Sequence, residues 1–129
     1  MLDYTIKTLV ILPHLDDEFA LAPLIGKLKH EGCKGLKFVY CAERYNDDEQ
    51  RNLKRREENL KSLKLFGYSK RDIIYLNDFF TVEDLKLYKS LNKINQFLYK
   101  LTKKHCFKQI ITLNFEGGHP DHDALAMLI

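Results

Sequence analysis

Thr8-Leu9-Val10-Ile11-Leu12 is an unbroken apolar run, stopped by Pro13 and followed at once by the polar segment His14-Leu15-Asp16-Asp17-Glu18. A strand with one face in water alternates apolar and polar residues. A continuous run reads instead as a strand covered on both faces, which calls for parallel neighbours and helices on either side. From Glu18 to about His30 apolar residues recur at helical spacing, and Gly32 follows as a stop signal. Leu36-Lys37-Phe38-Val39-Tyr40-Cys41 reads as a second strand. Asp47 or Asp48 is expected to cap a helix that runs to about Phe66, with Gly67 just beyond its end.

Asp72-Ile73-Ile74-Tyr75-Leu76 reads as a third strand. Thr81-Val82-Glu83-Asp84 resembles an N-cap, and Leu85, Tyr88, Leu91, Ile94, Leu98 and Leu101 fall on one helical stripe, predicting a long helix to about Lys104. Gln109-Ile110-Ile111-Thr112-Leu113 is the fourth strand, and a further helix opens at Asp121. Repeated β-α units predict an α/β fold, a Rossmann-like three-layer sandwich with a mostly parallel sheet. No repeat, linker or low-complexity stretch separates a second domain, so residues 1–129 read as one domain.

In such sheets ligands bind outside the carboxyl ends of the strands. The chemically dense segments fall there: His14 to Glu18 after the first strand, Glu43 and Arg44 after the second, Asn77 and Asp78 after the third, Asn114 to His122 after the fourth. His14 and Asp17 are three residues apart, as are His119 and His122, so each pair can project to one side of a turn and grip an ion. Imidazole with carboxylate suits zinc, and a catalytic zinc keeps three protein ligands and an open position. Pro120 fixes the turn between the second pair, and Asp121 is placed to orient an imidazole rather than bind the ion. Spacing alone does not separate Asp16 from Asp17, or His119 from His122, as ligand and catalyst.

Composition removes other classes. A net charge of +3, with Lys and Arg interleaved among Asp and Glu, offers no basic stripe for nucleic acid or a membrane surface. No stretch approaches the ~20 apolar residues needed to span a bilayer. Three widely spaced cysteines without a CxxC pair (Cys33, Cys41 and Cys106) read as reduced thiols of a cytoplasmic protein.

Pro13-His14-Leu15-Asp16-Asp17-Glu18 resembles the (P/A)HPDDE signature of the PIG-L/LmbE-like deacetylases, which remove acetyl groups from N-acetylglucosamine-type substrates. Glu116-Gly117-Gly118-His119-Pro120-Asp121-His122-Asp123-Ala124 is similar to that family's GHPDH motif, and Arg55-Arg56-Glu57-Glu58 with Gly67 to its RxxE…LG helix. The resemblance implies one zinc ion held by His14, Asp17 and His122. It implies Asp16 as general base and His119 as the residue that stabilises the oxyanion and assists the leaving amine. Arg55 matches an arginine at the rim of the family's sugar pocket, and Asp78 is a further substrate-binding candidate. Glu18 reads as a helix-start or supporting residue.

Two local departures stand out. Leu15 replaces the family's usual proline, and Phe19-Ala20-Leu21-Ala22-Pro23 replaces a small, Gly-rich stretch. The domain of the family is also longer, so the chain reads as its N-terminal part, truncated at the C-terminus, with a homo-oligomer or a completing partner chain as the expected remedy. The competing readings are a metal phosphoesterase, for which no phosphate-cradling glycine loop is present, and a non-catalytic module that binds zinc or a sugar.

Overall fold

The computed structural model describes residues 2–43 and 49–129. The expected cap at Asp47 or Asp48, and Arg44, lie outside the described residues. Strands β1 (Thr8–Leu12), β2 (Lys37–Tyr40), β3 (Ile73–Tyr75) and β4 (Gln109–Ile111) form one sheet in the order β3-β2-β1-β4. All three pairings are parallel, with Val10 opposite Phe38 on one side and Ile111 on the other. Helices α1 (Ala22–His30), α2 (Glu49–Leu65), α3 (Leu91–His105) and α4 (Pro120–Leu128) complete the described elements, with short 3-10 turns between them.

Alternation along β1 divides the core into two layers. Leu9 and Ile11 pack with Val39 against Ile94, Leu98 and Leu101 of α3 and Leu125 of α4. Val10 and Leu12 pack with Phe38 and Tyr40 against Ile25 and Leu28 of α1 and Leu63 of α2. Every residue of β1 is buried, Thr8 included. This is the three-layer α/β sandwich that the unbroken apolar run implied. Each such fully buried aliphatic side chain is worth roughly 1.5–3 kcal/mol.

Two elements depart from the sequence expectation. The stretch from Asp17 to Leu21 is a 3-10 turn, and the α-helix begins only at Ala22, with Pro23 in its first turn. Proline has no N–H to give to a continuing helix and is pre-set for a first turn, so the change of helix type falls there. The larger correction concerns the helix expected to open at Thr81-Val82-Glu83-Asp84. It begins instead at Leu91, behind a 3-10 turn over Leu87–Ser90. Leu85 adopts φ 64°, in the left-handed region, and both Leu85 and Tyr88 are exposed, while Val82 and Leu87 enter the core in their place. The physical cause is Asp121. Its carboxylate accepts the backbone N–H groups of Leu85 (2.7 Å) and Leu87 (3.0 Å), bending the chain over the carboxyl ends of the strands.

The order β3-β2-β1-β4 has a functional consequence. The chain steps outward from β1 through β2 to β3, then crosses back to place β4 on the other side of β1. The loops after β1 and β4 therefore border the topological switch point, where α/β sheets open a crevice for ligands.

Candidate metal centre

His14 leaves β1 at that crevice, and α4 brings His119 and His122 to it from the β4 side. The three imidazoles pack with ring centroids 4.9 Å (His14–His119), 5.4 Å (His14–His122) and 4.4 Å (His119–His122) apart. One ligand atom from each lies within 4.8 Å of the others; His14, Asp84 and Asp121 form a second such group.

Asp17 links the two histidine motifs. Its Oδ2 accepts the His14 backbone N–H at 2.7 Å and lies 3.3 Å from His14 Nδ1, while its Oδ1 lies 3.3 Å from His122 Nε2. The opposite edge of each ring is held by a different carboxylate. His14 Nε2 is 2.9 Å from Asp121 Oδ2 and 3.1 Å from Asp84 Oδ1, and His122 Nδ1 is 3.0 Å from Glu116 Oε1. Ligating imidazoles are typically fixed in this way, one nitrogen toward the ion and the other on a carboxylate. The group of His14 with Asp84 and Asp121 therefore reads as the orienting side of His14, and the edge shared with Asp17 as its ligating side.

Charge at the site follows from these contacts. Burial opposes the His14 imidazolium, yet the hydrogen bonds to Asp121 and Asp17 and the fields of Asp17 and Asp84 raise its pKa to about 9. Burial alone raises the pKa of Asp121, but His14 and the N–H groups of Leu87 and Leu85 more than offset it and hold the carboxyl in its ionised form. The cluster thus attracts a cation, and its donors are imidazole nitrogen and carboxylate oxygen, the set that suits zinc. Cys41 takes no part as a ligand. Its burial, with Asp121 and Asp17 nearby, pushes the thiol pKa far up, so the residue stays an S–H group.

His119 stands at the N-cap of α4, where its Nδ1 accepts the Asp121 N–H at 3.3 Å. That contact leaves the proton of the neutral ring on Nε2. Asp16 is mostly exposed, with its Oδ1 3.6 Å from Arg55 Nη2. Asp16 and His119 both lie on a cavity of about 510 Å³, along with His14, Arg55 and Asp84. Seven of the eight expected site residues therefore gather around one crevice. The structure does not bring Asp78 there. Its Oδ1 accepts from Arg56 Nη1 at 2.7 Å, and it borders a separate cavity with Glu43, Asn52 and Asn77.

Asp84 and Glu116 were not recognised in the sequence. Asp84 lay inside what read as a helix cap. Glu116 carried a usable signal, standing six residues before His122 at the mouth of a glycine turn. There Asp123 Oδ1 accepts the N–H groups of Glu116 and Gly117, both at 2.9 Å, and Gly117 takes φ 74°. Behind the first motif, Glu18 is almost fully buried and accepts from Tyr40 Oη at 3.0 Å. Asn59 Nδ2 donates to Leu15 O (3.0 Å) and its Oδ1 accepts from Tyr75 (2.9 Å), tying the loop after β1 to α2 and β3.

A parallel α/β sheet thus brings imidazoles and carboxylates together at its switch point, a donor set that could hold a metal ion. Residues 9–129 match the family described as PIG-L, GlcNAc-PI de-N-acetylase, and the chain belongs to that family. Among solved structures it is similar to an N,N'-diacetylchitobiose deacetylase from Pyrococcus horikoshii, complexed with its inhibitor MPG, with a TM-score of 0.75 and 23% identity. The match covers 95% of this chain and 47% of that one, so the chain spans about half the length of this neighbour. No sequence among the curated proteins matches it. Among the described residues, no helix is long and apolar enough to cross a membrane.

Proposed function

We propose that the chain carries the zinc-binding and catalytic part of a hydrolase that removes the N-acetyl group from an N-acetylglucosamine-type sugar or sugar conjugate. The observation that carries this reading is Asp17 in contact with both His14 and His122, beside a cavity that Asp16 and His119 enter. His14, Asp17 and His122 would hold one zinc ion. When bound, zinc supplies Lewis acidity toward the acetamide carbonyl and lowers the pKa of water toward neutrality.

The protein's own groups do the rest. Asp16 takes a proton from the attacking water, whose oxygen bonds to the carbonyl carbon. His119 offers its Nε2 proton to the oxygen that becomes negative in the tetrahedral state. As the C–N bond breaks, Asp16 passes its proton to the departing amine nitrogen with His119 assisting, and acetic acid and the free amino sugar result, parting as acetate and ammonium. Arg55 and Asp84, on the cavity wall, are placed to donate to and accept from sugar hydroxyls. A second reading, a non-catalytic zinc- or sugar-binding module that needs a partner chain, is not favoured, because residues 9–129 match a family of sugar de-N-acetylases.

The test is zinc stoichiometry on the purified chain followed by acetate release from N-acetylglucosamine conjugates. One zinc per chain, lost in His14→Ala and in His122→Ala, with turnover abolished in Asp16→Asn, supports the deacetylase. A folded chain that takes up no metal overturns it, and zinc without turnover leaves the module.

A further inference from the structure

The residues of α2 that reach the core are Asn59, Ser62 and Leu63, and the first of them is an amide, 2% exposed. A buried amide costs free energy unless its polar atoms are hydrogen-bonded. Here both ends are. Asn59 Nδ2 donates to Leu15 O at 3.0 Å, and Asn59 Oδ1 accepts from Tyr75 Oη at 2.9 Å. A carbonyl can only accept, so the Leu15 contact sets which end of the amide faces the loop after β1. An apolar side chain of similar size would fill the same space. What the amide adds is a hold on the carbonyl between His14 and Asp16.

The other parts of this loop have holds of their own. Pro13 O accepts the Ala42 N–H at 2.8 Å, and the His14 N–H is taken by Asp17 Oδ2 at 2.7 Å. The His14 ring stands between Asp17 on one edge and Asp121 and Asp84 on the other. The Asp16 side chain, by contrast, is 69% exposed, and its carboxylate lies 3.6 Å from Arg55 Nη2, beyond hydrogen-bond length. Its direction therefore depends on its backbone. The peptide bond is planar, so a fixed Leu15 O fixes the plane in which the Asp16 Cα lies. Asn59 follows Arg55 by one helical turn, and α2 thus meets the loop twice on one face: at the Asp16 carboxylate and at the peptide before it.

We infer that Asn59 is a positioning residue: its amide holds the Leu15–Asp16 peptide and so fixes the reach of the Asp16 carboxylate into the cavity beside His14. Asn59 touches neither substrate nor metal in this role. The inference rests on the reading of Asp16 as general base. A base must stand within about 2.6–3.2 Å of the proton it takes, and a misplacement of about 1 Å can cost roughly a hundredfold in rate.

The test uses the full chain and two kinds of variant. Asn59→Leu removes the donor and keeps the volume; Asn59→Ser, too short to reach Leu15 O, replaces it if the leucine variant does not fold. Tyr75→Phe breaks the other half of the same buried network and leaves the donor to Leu15 in place. Amide hydrogen exchange on metal-free protein follows the Asp17 and Phe19 N–H groups, which bond to His14 O and Asp16 O. Zinc affinity, and kcat and KM for acetate release from an N-acetylglucosamine conjugate, are measured on the same proteins.

Asn59→Leu is expected to speed exchange at both amides about tenfold beyond the change in global stability. It is expected to lower kcat about 10- to 100-fold, with KM and zinc affinity within about threefold of the parent. Tyr75→Phe is expected to lose stability and to do neither.

Equal effects of Asn59→Leu and Tyr75→Phe on exchange and on kcat overturn the inference, since the network then serves the core alone. So does exchange or kcat that Asn59→Leu leaves at the parent value. A loss of zinc affinity that parallels the loss of kcat also overturns it, because Asn59 then acts through the metal ligands. A parent chain that releases no acetate removes the deacetylase reading, and the exchange data then decide the hold on the loop by themselves.

Discussion

Asp121, fully buried, lies 2.9 Å from Nε2 of His14, a residue 107 positions earlier, and its other contacts are the backbone N–H groups of Leu85 and Leu87. One carboxylate thus fixes an imidazole of the first motif and the loop that roofs it. Removing it leaves the N–H groups of Leu85 and Leu87 without their acceptor, and Nε2 of His14 with Asp84 alone. Asp121→Ala is expected to cost about 3–5 kcal/mol of stability, the usual penalty for breaking a buried charged pair. Urea unfolding of the metal-free protein gives the number, and a loss below 1 kcal/mol would contradict the role.

Glu116 touches the proposed metal site without holding the fold. Its side chain is half-exposed and bonds to His122 Nδ1, so Glu116→Ala is expected to change metal-free stability by less than about 1 kcal/mol. Zinc affinity should fall about 10- to 100-fold, because the ring of His122 is no longer held with Nε2 toward Asp17. Competition with a chromophoric chelator measures it, and an unchanged affinity would remove Glu116 from the site.

Leu85 gives a test whose sign separates two conformations. In the left-handed region a side chain costs roughly 1–2 kcal/mol that glycine does not incur. Leu85 is 55% exposed, so little burial is lost on removing it. Leu85→Gly is therefore expected to stabilise the protein by on the order of 1 kcal/mol, net of glycine's greater freedom when unfolded. Were residue 85 in the helix that its periodicity suggests, the same change would destabilise by about 1 kcal/mol. Paired melting curves decide.

Glu18 carries a pH signature. Burial raises its pKa above the usual carboxylate value, against the hydrogen bonds it receives. A carboxyl raised on folding adds stability below its unfolded pKa, and that stability is lost as pH rises through the folded value. Glu18→Gln, which cannot ionise, should thus gain stability relative to the parent on going from acid to neutral pH. Urea midpoints across that range, compared between the two proteins, give the trend. A difference that does not change with pH would mean that Glu18 titrates as if in water.

The sheet and its layers were legible because burial on both faces leaves a mark in every strand, as in Thr8 to Leu12. The placement of the His-Asp and His-Pro-Asp-His motifs on one rim followed from their positions just past β1 and β4, at the carboxyl ends of parallel strands. The roof over the site was not legible. The periodicity from Leu85 to Leu101 is helical, but a distant carboxylate outbids it by capturing two backbone N–H groups, and local sequence holds no sign of that. The position of Asp78 apart from the crevice was hidden for a related reason: its partner Arg56 is visible only in three dimensions.

The sheet order also sets a schedule. β1 and β4 are neighbours in space and almost the whole described chain apart in sequence, so no ion can be gripped by both motifs until α4 exists. At ribosomal speeds of roughly 5–20 residues per second, His14 emerges many seconds before His122 joins it. Through that interval the nascent chain offers only one histidine and one aspartate of the proposed set, fewer than the three protein ligands of a catalytic zinc. At the proposed zinc site, loading would thereby wait until the β4 crossover has closed.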